Sequence, residues 1–292
     1  MGAVGSLLPK NTIVRETIMD KKRSIEVTSP LDERIRPKQS ANTLFHFMDN
    51  REYLMDVLSK TALIPRYCRE DISYLDIYND GVQIKNVAYP EKCFCDIPLH
   101  KMLNHRSTYG GYGIGLTKSW GVQRGLQPIQ YINSNSFLTE DFRTAFHNVM
   151  ERSEEYDVDN FLLTYMFYIK PYFGNNKNRI TGEVEKIYLT DECEWRFIPK
   201  VQEHDLPPIL IDRMISEKNN DDLYWIDEYN KTLLKLEDLW LKFSIEDIKY
   251  VLVPTEGERK AFISFIEDCG SILEKPEIIS KLICLDDAAE DF

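Results

Sequence analysis

The sequence lacks a long hydrophobic run. Its longest apolar stretch, residues 161–169, is about half of the roughly 20 residues that a membrane-spanning helix needs. It also lacks a secretory signal, internal repeats and low-complexity segments. We therefore expect a cytoplasmic protein without membrane association, whose 6 cysteines in 292 residues remain reduced thiols.

The sequence has no excess of positive charge. Its 36 Lys and Arg residues stand against 48 Asp and Glu residues, which gives a formal net charge of −12. Because such a surface repels a phosphate backbone, broad nucleic-acid binding is not expected. Residues 1–40 differ from the rest, since eight basic and five acidic residues make this segment +3.

The common nucleotide-binding and hydrolase motifs are also missing. There is no P-loop, no nucleophile elbow and no set of protein-kinase motifs. Glycines 111, 113 and 115 do not form a dinucleotide fingerprint, because their spacing is wrong and they lead into a predicted strand. These absences exclude the best-known nucleotide-dependent enzyme classes.

Strand and helix patterns alternate irregularly along the chain, which favours an α+β fold over a doubly wound sheet. A buried strand is predicted at 43–47, and Asn50 is predicted to cap the following helix. We predict a flexible N-terminal extension at 1–40, a single mixed α+β domain at 41–270 and an acidic C-terminal tail at 271–292.

Two carboxylates near residue 194 form the first candidate site. In a strand, Glu192, Glu194 and Arg196 would project to one side, and Cys193 and Trp195 to the buried side. Two carboxylates in one cleft can hold a ribose hydroxyl and stabilise an oxocarbenium-like centre. The alternative is an exposed strand face on which Arg196 pairs with a glutamate.

Histidine and tyrosine residues earlier in the chain form a second candidate set. His46 lies among apolar residues, so its imidazole must hydrogen-bond either a ligand or a neighbour in the core. The run from His105 to Gly115 places Tyr109 and Tyr112 among glycines, where a backbone can approach a phosphate and a tyrosine can stack on a ring. A packed glycine-rich strand explains the same run.

Cysteines and histidines suggest a metal site only weakly. Cys93 and Cys95 would lie on one face of a strand. The other potential ligands are His100, His105 and Cys68. This spacing matches no common zinc ribbon or finger, so we predict small buried thiols and no metal.

Several motifs, taken in order over residues 42–265, resemble the AbiGi-like family of bacterial abortive-infection proteins. They are Leu44-Phe45-His46-Phe47, Pro65-Arg66-Tyr67-Cys68, Cys93-Phe94-Cys95-Asp96-Ile97-Pro98, Tyr109-Gly110-x-Tyr112-Gly113-Ile114-Gly115, and Glu192-x-Glu194-Trp195-Arg196-Phe197. The resemblance implies phage resistance in a bacterial cytoplasm. It also implies a two-gene system in which this member is the antitoxin, and therefore a protein partner.

A weaker similarity connects the same order of motifs with ADP-ribosyltransferase-type domains, which implies a split β-sheet with flanking helices and NAD as substrate. In that comparison His46 would contact the NAD ribose, Tyr109 or Tyr112 would stack near the nicotinamide, and His105 would be a further NAD-binding residue. Glu194 would be the catalytic carboxylate, with Glu192 as the first member of the pair.

This sequence departs from the transferase pattern at two places. Arg196 lies where it can neutralise Glu194, and no Ser-Thr-Ser strand precedes the pair. Three hypotheses therefore remain. One is an NAD-using enzyme that transfers ADP-ribose to a macromolecule or cleaves NAD. Another is a non-catalytic antitoxin or regulatory subunit that binds a toxin or a phage protein. The third is a transferase-like scaffold that only binds NAD or a nucleotide signal. The sequence leaves open whether the chain is an enzyme.

Overall fold

The computed structural model describes residues 41–79, 81–151, 156–211, 224–270 and 275–290. The chain divides into two units, Met1–Pro37 and Lys38–Phe292, and all of the described residues belong to the second. The predicted N-terminal extension at 1–40 lies outside the described residues.

The helices are short, and only two of those described exceed 12 residues. In chain order they are α1 (Arg51–Lys60), α2 (Leu103–Tyr109), α3 (Lys118–Gln123), α4 (Phe137–Glu151), α5 (Tyr156–Phe167), α6 (Tyr224–Leu233), α7 (Glu256–Asp268), α8 (Lys275–Ser280) and α9 (Leu285–Glu290).

The strands outnumber the helices in the described residues. They are β1 (Thr43–Met48), β2 (Ala62–Leu63), β3 (Arg66–Asp71), β4 (Tyr78–Asn79), β5 (Val82–Gln83), β6 (Asn86–Cys95), β7 (Tyr112–Thr117), β8 (Gln127–Pro128), β9 (Gln130–Ile132), β10 (Ile169–Pro171), β11 (Phe173–Lys177), β12 (Val184–Tyr188), β13 (Glu194–Phe197), β14 (Leu210–Ile211), β15 (Leu241–Lys242), β16 (Ile248–Val253) and β17 (Leu282–Cys284).

A nine-stranded mixed sheet forms the centre of the described fold. Its order is β17-β16-β7-β1-β6-β13-β8, and β3 and β14 also pair with β6. Most neighbours are antiparallel, and β16 and β17 are parallel. Helices are interspersed irregularly among the strands, so the predicted α+β class is confirmed.

The start of the folded region follows its local sequence closely. Strand β1 is almost wholly buried, as its run of aliphatic and aromatic residues predicts. The Asn50 side chain accepts a hydrogen bond from the Tyr53 amide at 3.0 Å and caps α1 as predicted. Helix α1 buries Leu54, Val57 and Leu58 against the sheet, which is the face that their spacing indicates.

The central sheet has two faces that strand register separates. Phe45 pairs with Cys95 and Cys95 pairs with Glu194, so these side chains lie on one side, here called the Glu194 face. Phe94 and Trp195 are paired neighbours on the opposite side, here called the Phe94 face, where a large apolar cluster packs. The candidate carboxylates and the main apolar core are therefore on different sides of the sheet.

The C-terminal residues extend the sheet. Val251 of β16 pairs with Leu282 of β17, and Leu282 and Cys284 are buried. The predicted boundary at residue 270 is too early, because an apolar triplet inside the acidic 271–292 segment supplies the edge strand. Among the described residues, no helix has both the length and the hydropathy that crossing a bilayer requires.

Candidate functional site

The backbone around the two carboxylates is not one continuous strand. Residues Leu189–Glu192 form a 3₁₀ turn, and Cys193 adopts a left-handed conformation with φ 43° before β13 begins at Glu194. Simple alternation from Glu192 to Arg196 was therefore the wrong basis for grouping them. As one consequence, Cys193 is exposed and not on the buried side as predicted.

The two carboxylates nevertheless meet, because one lysine binds both. The Lys170 Nζ atom donates to Glu192 Oε2 at 3.1 Å and to Glu194 Oε2 at 2.9 Å. Lys170 lies in β10, directly after the apolar helix α5, and both glutamates are buried. The structure thus brings Glu192 and Glu194 together on one lysine, and the chemical role expected of them remains a prediction.

Arg196 binds the second carboxylate oxygen of Glu194. Its Nε atom donates to Glu194 Oε1 at 2.5 Å, and Nη2 lies 3.2 Å from Glu70 Oε2. Nη1 donates to the Phe167 carbonyl at 2.9 Å and to the Tyr89 hydroxyl. The guanidinium is completely buried, so most of its donors are used inside the protein. Arg196 thus pairs with a glutamate, as the alternative interpretation expected, but the strand face that the interpretation called exposed is buried.

These residues form a buried ionic cluster, which is defined here as Glu70, Glu91, Lys170, Glu192, Glu194 and Arg196. Burial alone would raise the pKa of Glu194, but the adjacent Arg196 and Lys170 hold that pKa below its usual range. Glu194 is therefore a fixed anion held between two cations. The backbone N–H of Glu194 also donates a hydrogen bond to the Tyr131 hydroxyl oxygen, with an N···O distance of 2.9 Å.

Glu91 is the least satisfied member of the cluster. Its Oε2 atom makes no hydrogen bond in the described structure, although Arg196 Nε lies 3.4 Å away. Burial raises the pKa of Glu91 to about 7, because the attraction of Arg196 only partly offsets desolvation and the nearby Glu70 and Glu194 are also negative. This carboxyl therefore titrates near neutral pH, unlike Glu194.

Tyr109 and His105 adjoin the cluster from α2. The Tyr109 hydroxyl donates to Glu192, and burial followed by that carboxylate raises the pKa of Tyr109. The His105 ring packs on Tyr109 with centroids 5.5 Å apart, and burial lowers the pKa of His105. Gly110 ends α2 with φ 109°, at a point where a Cβ atom would collide with the Met48 carbonyl. This turn fixes Tyr109 beside Glu192.

Tyr112 lies away from this group. Burial and a hydrogen bond with Glu258 of α7 raise the pKa of Tyr112 to about 12. In strand β7, Tyr112 pairs with Met48 and Ile114 pairs with His46. Because alternate residues share a face, Tyr112 projects on the same side as His46 and Ile114, which is opposite the ionic cluster. Tyr109 and Tyr112 therefore do not line one pocket, although only two residues separate them in sequence.

His46 projects on the Phe94 face, one residue after Phe45 of the Glu194 face. Its Nδ1 atom lies 2.8 Å from the Cys93 carbonyl, and its ring contacts Phe94 with centroids 5.7 Å apart. Burial, followed by the charge of Lys92, holds the pKa of His46 well below its usual value. The expected convergence of His46 with Glu194 was wrong, because neighbouring residues of a strand point in opposite directions.

The glycine-rich run has a packing explanation. A Cβ atom at Gly115 would lie 2.7 Å from Cε1 of Phe45 and 2.9 Å from Cγ2 of Thr43. At Gly113 it would lie 3.1 Å from the His46 carbonyl oxygen. These glycines let β7 pack closely against β1, which is the structural alternative that the sequence left open.

Potential metal ligands also meet in the cluster. The ligand atoms of Glu91, Cys93 and Glu194 lie within 4.8 Å of one another, whereas no such group in the described residues combines Cys93 and Cys95 with histidines. Arg196 already places a positive charge 2.5 Å from Glu194 and 3.4 Å from Glu91. A metal ion would compete with this guanidinium, so the trio fits an ion poorly.

The sequence analysis missed Lys170 and Glu91, which complete the cluster. Lys170 directly follows the longest apolar run, and a lysine in that position signals a buried charge in need of partners. Glu91 follows Pro90 in a strand whose neighbours are buried, which is the same signal. Neither signal identifies the partner, because each pairing depends on contacts between distant segments.

The comparisons with known proteins cover most of the chain. Residues 61–254 match the family model described as "Putative abortive phage resistance protein AbiGi, antitoxin". The chain belongs to the AbiGi family. The abortive phage resistance protein AbiGi of Lactococcus lactis subsp. cremoris is 34% identical over 255 residues, covering 79% of this chain and 100% of that protein. The resemblance noted from the motifs is confirmed.

The AbiGi match includes the whole ionic cluster, from Glu70 to Arg196, and excludes His46. No solved structure matches the chain. The expected likeness to ADP-ribosyltransferase domains and the expected use of NAD therefore remain predictions.

Proposed function

We propose that this AbiGi protein is the antitoxin of an abortive-infection pair in the bacterial cytoplasm, and that it acts by binding a protein partner without catalysing a reaction. The observation that carries the proposal is that two cations neutralise Glu194. Arg196 and Lys170 bind its two oxygens at 2.5 and 2.9 Å, and the side chain is buried.

Neutralisation of Glu194 by these two cations disfavours ADP-ribosyl transfer. A carboxylate that stabilises an oxocarbenium-like centre must direct unneutralised negative charge towards the reacting ribose. In this protein, Glu194 faces two cations, and Glu192 is bound by Lys170 and Tyr109. His46, the residue expected to hold the ribose, is on the other side of the sheet. An enzyme would have to open a buried ionic cluster before each turnover.

The comparisons support the same choice. The family description includes the word antitoxin, and an antitoxin implies a toxin that it neutralises. The net charge of −12 makes broad binding to a phosphate backbone unfavourable, which leaves a protein as the expected partner.

Growth of bacteria tests the proposal. We expect the protein encoded by the neighbouring gene to arrest growth when it is expressed alone, and co-expression of this chain to restore growth. We expect this chain alone to leave growth unchanged. If this chain alone arrests growth, or if it does not relieve the arrest caused by its neighbour, the antitoxin assignment is wrong.

Incubation with NAD labelled in the nicotinamide tests the enzymatic alternative. We expect no release of nicotinamide from the purified chain, with or without protein, RNA and DNA as acceptors. The control is Glu192→Gln, which keeps the size of the side chain and removes its charge. Release by the wild type that disappears in this variant, while the melting temperature stays unchanged, would establish the enzyme in place of the antitoxin.

A further inference from the structure

Strands β11 and β12 form a separate two-stranded hairpin beside the ionic cluster. Phe173 pairs with Tyr188 and Lys177 pairs with Val184, so alternate residues define two faces. The inner face contains Asn176 and Ile187, which are partly buried, whereas the outer-face residues are all exposed. A hairpin with two strands is marginally stable alone, so it depends on what anchors it.

The turn of the hairpin, residues 178–183, is fixed to helix α2. The Asn178 side-chain amide donates to the Ser107 carbonyl at 3.0 Å, and the Arg179 amide donates to the Thr108 carbonyl at 2.8 Å. The Arg179 guanidinium also lies over the Tyr109 ring, 5.3 Å from its centroid. The outer face is therefore presented by an ordered element and not by a free loop.

The outer face displays aromatic rings to solvent. Phe173 is 44% exposed and Tyr188 is 54% exposed, with ring centroids 5.2 Å apart. The adjacent Tyr172 is 44% exposed, and its ring centroid lies 5.6 Å from that of Tyr188. Val184, which is 60% exposed, lies on the same face at the other end of the hairpin, beyond Lys186. Contiguous exposed rings of this kind mark interaction sites and are the residues that dominate binding energy at interfaces.

The charges on this face are all of one sign. Lys186 lies two residues from Tyr188 on the outer face, Lys177 lies on the same face at the other end of the hairpin, and Glu185 is on the inner side. Strands β11 and β12, which are fully described, thus contribute no carboxylate to the outer face. In a chain with a net charge of −12, this is a local apolar and basic surface. Its complement is an apolar patch rimmed by carboxylates.

We infer that the outer face of the β11–β12 hairpin is the docking surface for the toxin, and that the toxin presents to it an apolar patch bordered by acidic side chains. The inference rests on the proposed antitoxin function. A protein fits this surface better than a nucleic acid does, because the rings pack against one another at tilted angles and the chain as a whole repels phosphate.

Isothermal titration of the purified toxin into the full chain tests the inference. We expect the double substitution Phe173→Ala and Tyr188→Ala to weaken binding by about 100-fold or more, because both rings would be buried in the complex. The matched control is Tyr53→Ala with Leu234→Ala, which removes two exposed apolar side chains, 51% and 55% exposed, from other elements. We expect the control to bind as the wild type does.

Charge reversal provides a second test that leaves the rings in place. We expect Lys177→Glu with Lys186→Glu to slow association by about 10-fold or more at low ionic strength, with a smaller effect at high salt. Thermal unfolding of each variant checks that its fold is retained.

The possible outcomes separate the docking surface from the function. If the toxin binds the wild type and both hairpin variants equally, the docking surface is wrong and the antitoxin function stands. If the wild type itself does not bind, the antitoxin function is wrong. A single-stranded oligonucleotide that binds the wild type and not the ring variant, while toxin binding is unchanged, would assign the face to nucleic acid and overturn the inference.

Discussion

The two faces of the central sheet are both buried, yet they are held together by different forces. On the Phe94 face, Ile114, Trp120 and Phe94 pack among other apolar side chains, and burial of surface stabilises the protein there. On the Glu194 face, the same strands β6 and β13 contribute Glu91, Glu194 and Arg196 to an ionic cluster. The comparison teaches that, along one strand, the residues on one face are constrained by the space available for apolar packing. The residues between them, on the other face, are constrained by the balance of charge around them.

Removal of the central cation should produce the largest effect. We expect Arg196→Met to lower the free energy of unfolding by about 3 to 5 kcal/mol, because Glu194 and Glu91 would be left buried without their partner. Urea denaturation measures this change. The control is Arg259→Met, which breaks an exposed i,i+3 pair with Glu256 and should change stability by at most about 0.5 kcal/mol. Equal stability of both variants would mean that the charged face does not depend on charge balance.

A cavity on the opposite face should produce a somewhat smaller effect. We expect Ile114→Ala to lower the free energy of unfolding by about 2 to 4 kcal/mol, because Ile114 is completely buried in the apolar cluster. The control is Ile180→Ala, whose side chain is 55% exposed on the hairpin loop. The cost of Ile114→Ala should be the same at each pH between about 5 and 8, since no titrating group is altered. A strong pH dependence would contradict the separation of the two faces.

The pH dependence of Glu91 should produce the smallest of these effects. The pKa of Glu91 is about 7 in the folded protein and near 4.5 when unfolded, so the folded state binds the proton more tightly. Its contribution to stability is complete below the unfolded pKa and is lost as the pH rises through 7. Glu194 has the opposite sign, since its lowered pKa contributes stability that is lost as the pH falls below its unfolded value.

The substitution Glu91→Gln isolates the contribution of Glu91 to the pH dependence of stability. Between about pH 5 and pH 8 we expect the wild type to lose about 1 to 3 kcal/mol of stability relative to Glu91→Gln, which stays neutral throughout. Denaturation of both proteins at each pH measures the difference, in which the titration of His46 cancels. Parallel stability curves would show that Glu91 is already ionised at low pH and that the charged face is better solvated than the structure indicates.

Local features of the fold could be predicted from the sequence, whereas contacts between distant segments could not. Strand β1 and the Asn50 cap depend on residues within a few positions, so their patterns were sufficient. Glu192 and Glu194 lie close together, but not through the strand alternation that the sequence suggested, since Cys193 breaks that alternation and Lys170 binds both carboxylates. The position of His46 required the register of β1 with β6 and β7, which no local pattern specifies.

The placement of β17 has a consequence for how the protein is made. Strand β16 is covered on one side by β7 and on the other by residues 282–284, which are synthesised after every other strand of the described sheet. Until then, a nascent chain presents the unpaired backbone of an apolar strand, and a chain terminated before residue 282 would retain that open edge permanently. A stop codon shortly before residue 282 should therefore yield aggregation and degradation, and not a slightly shortened working protein.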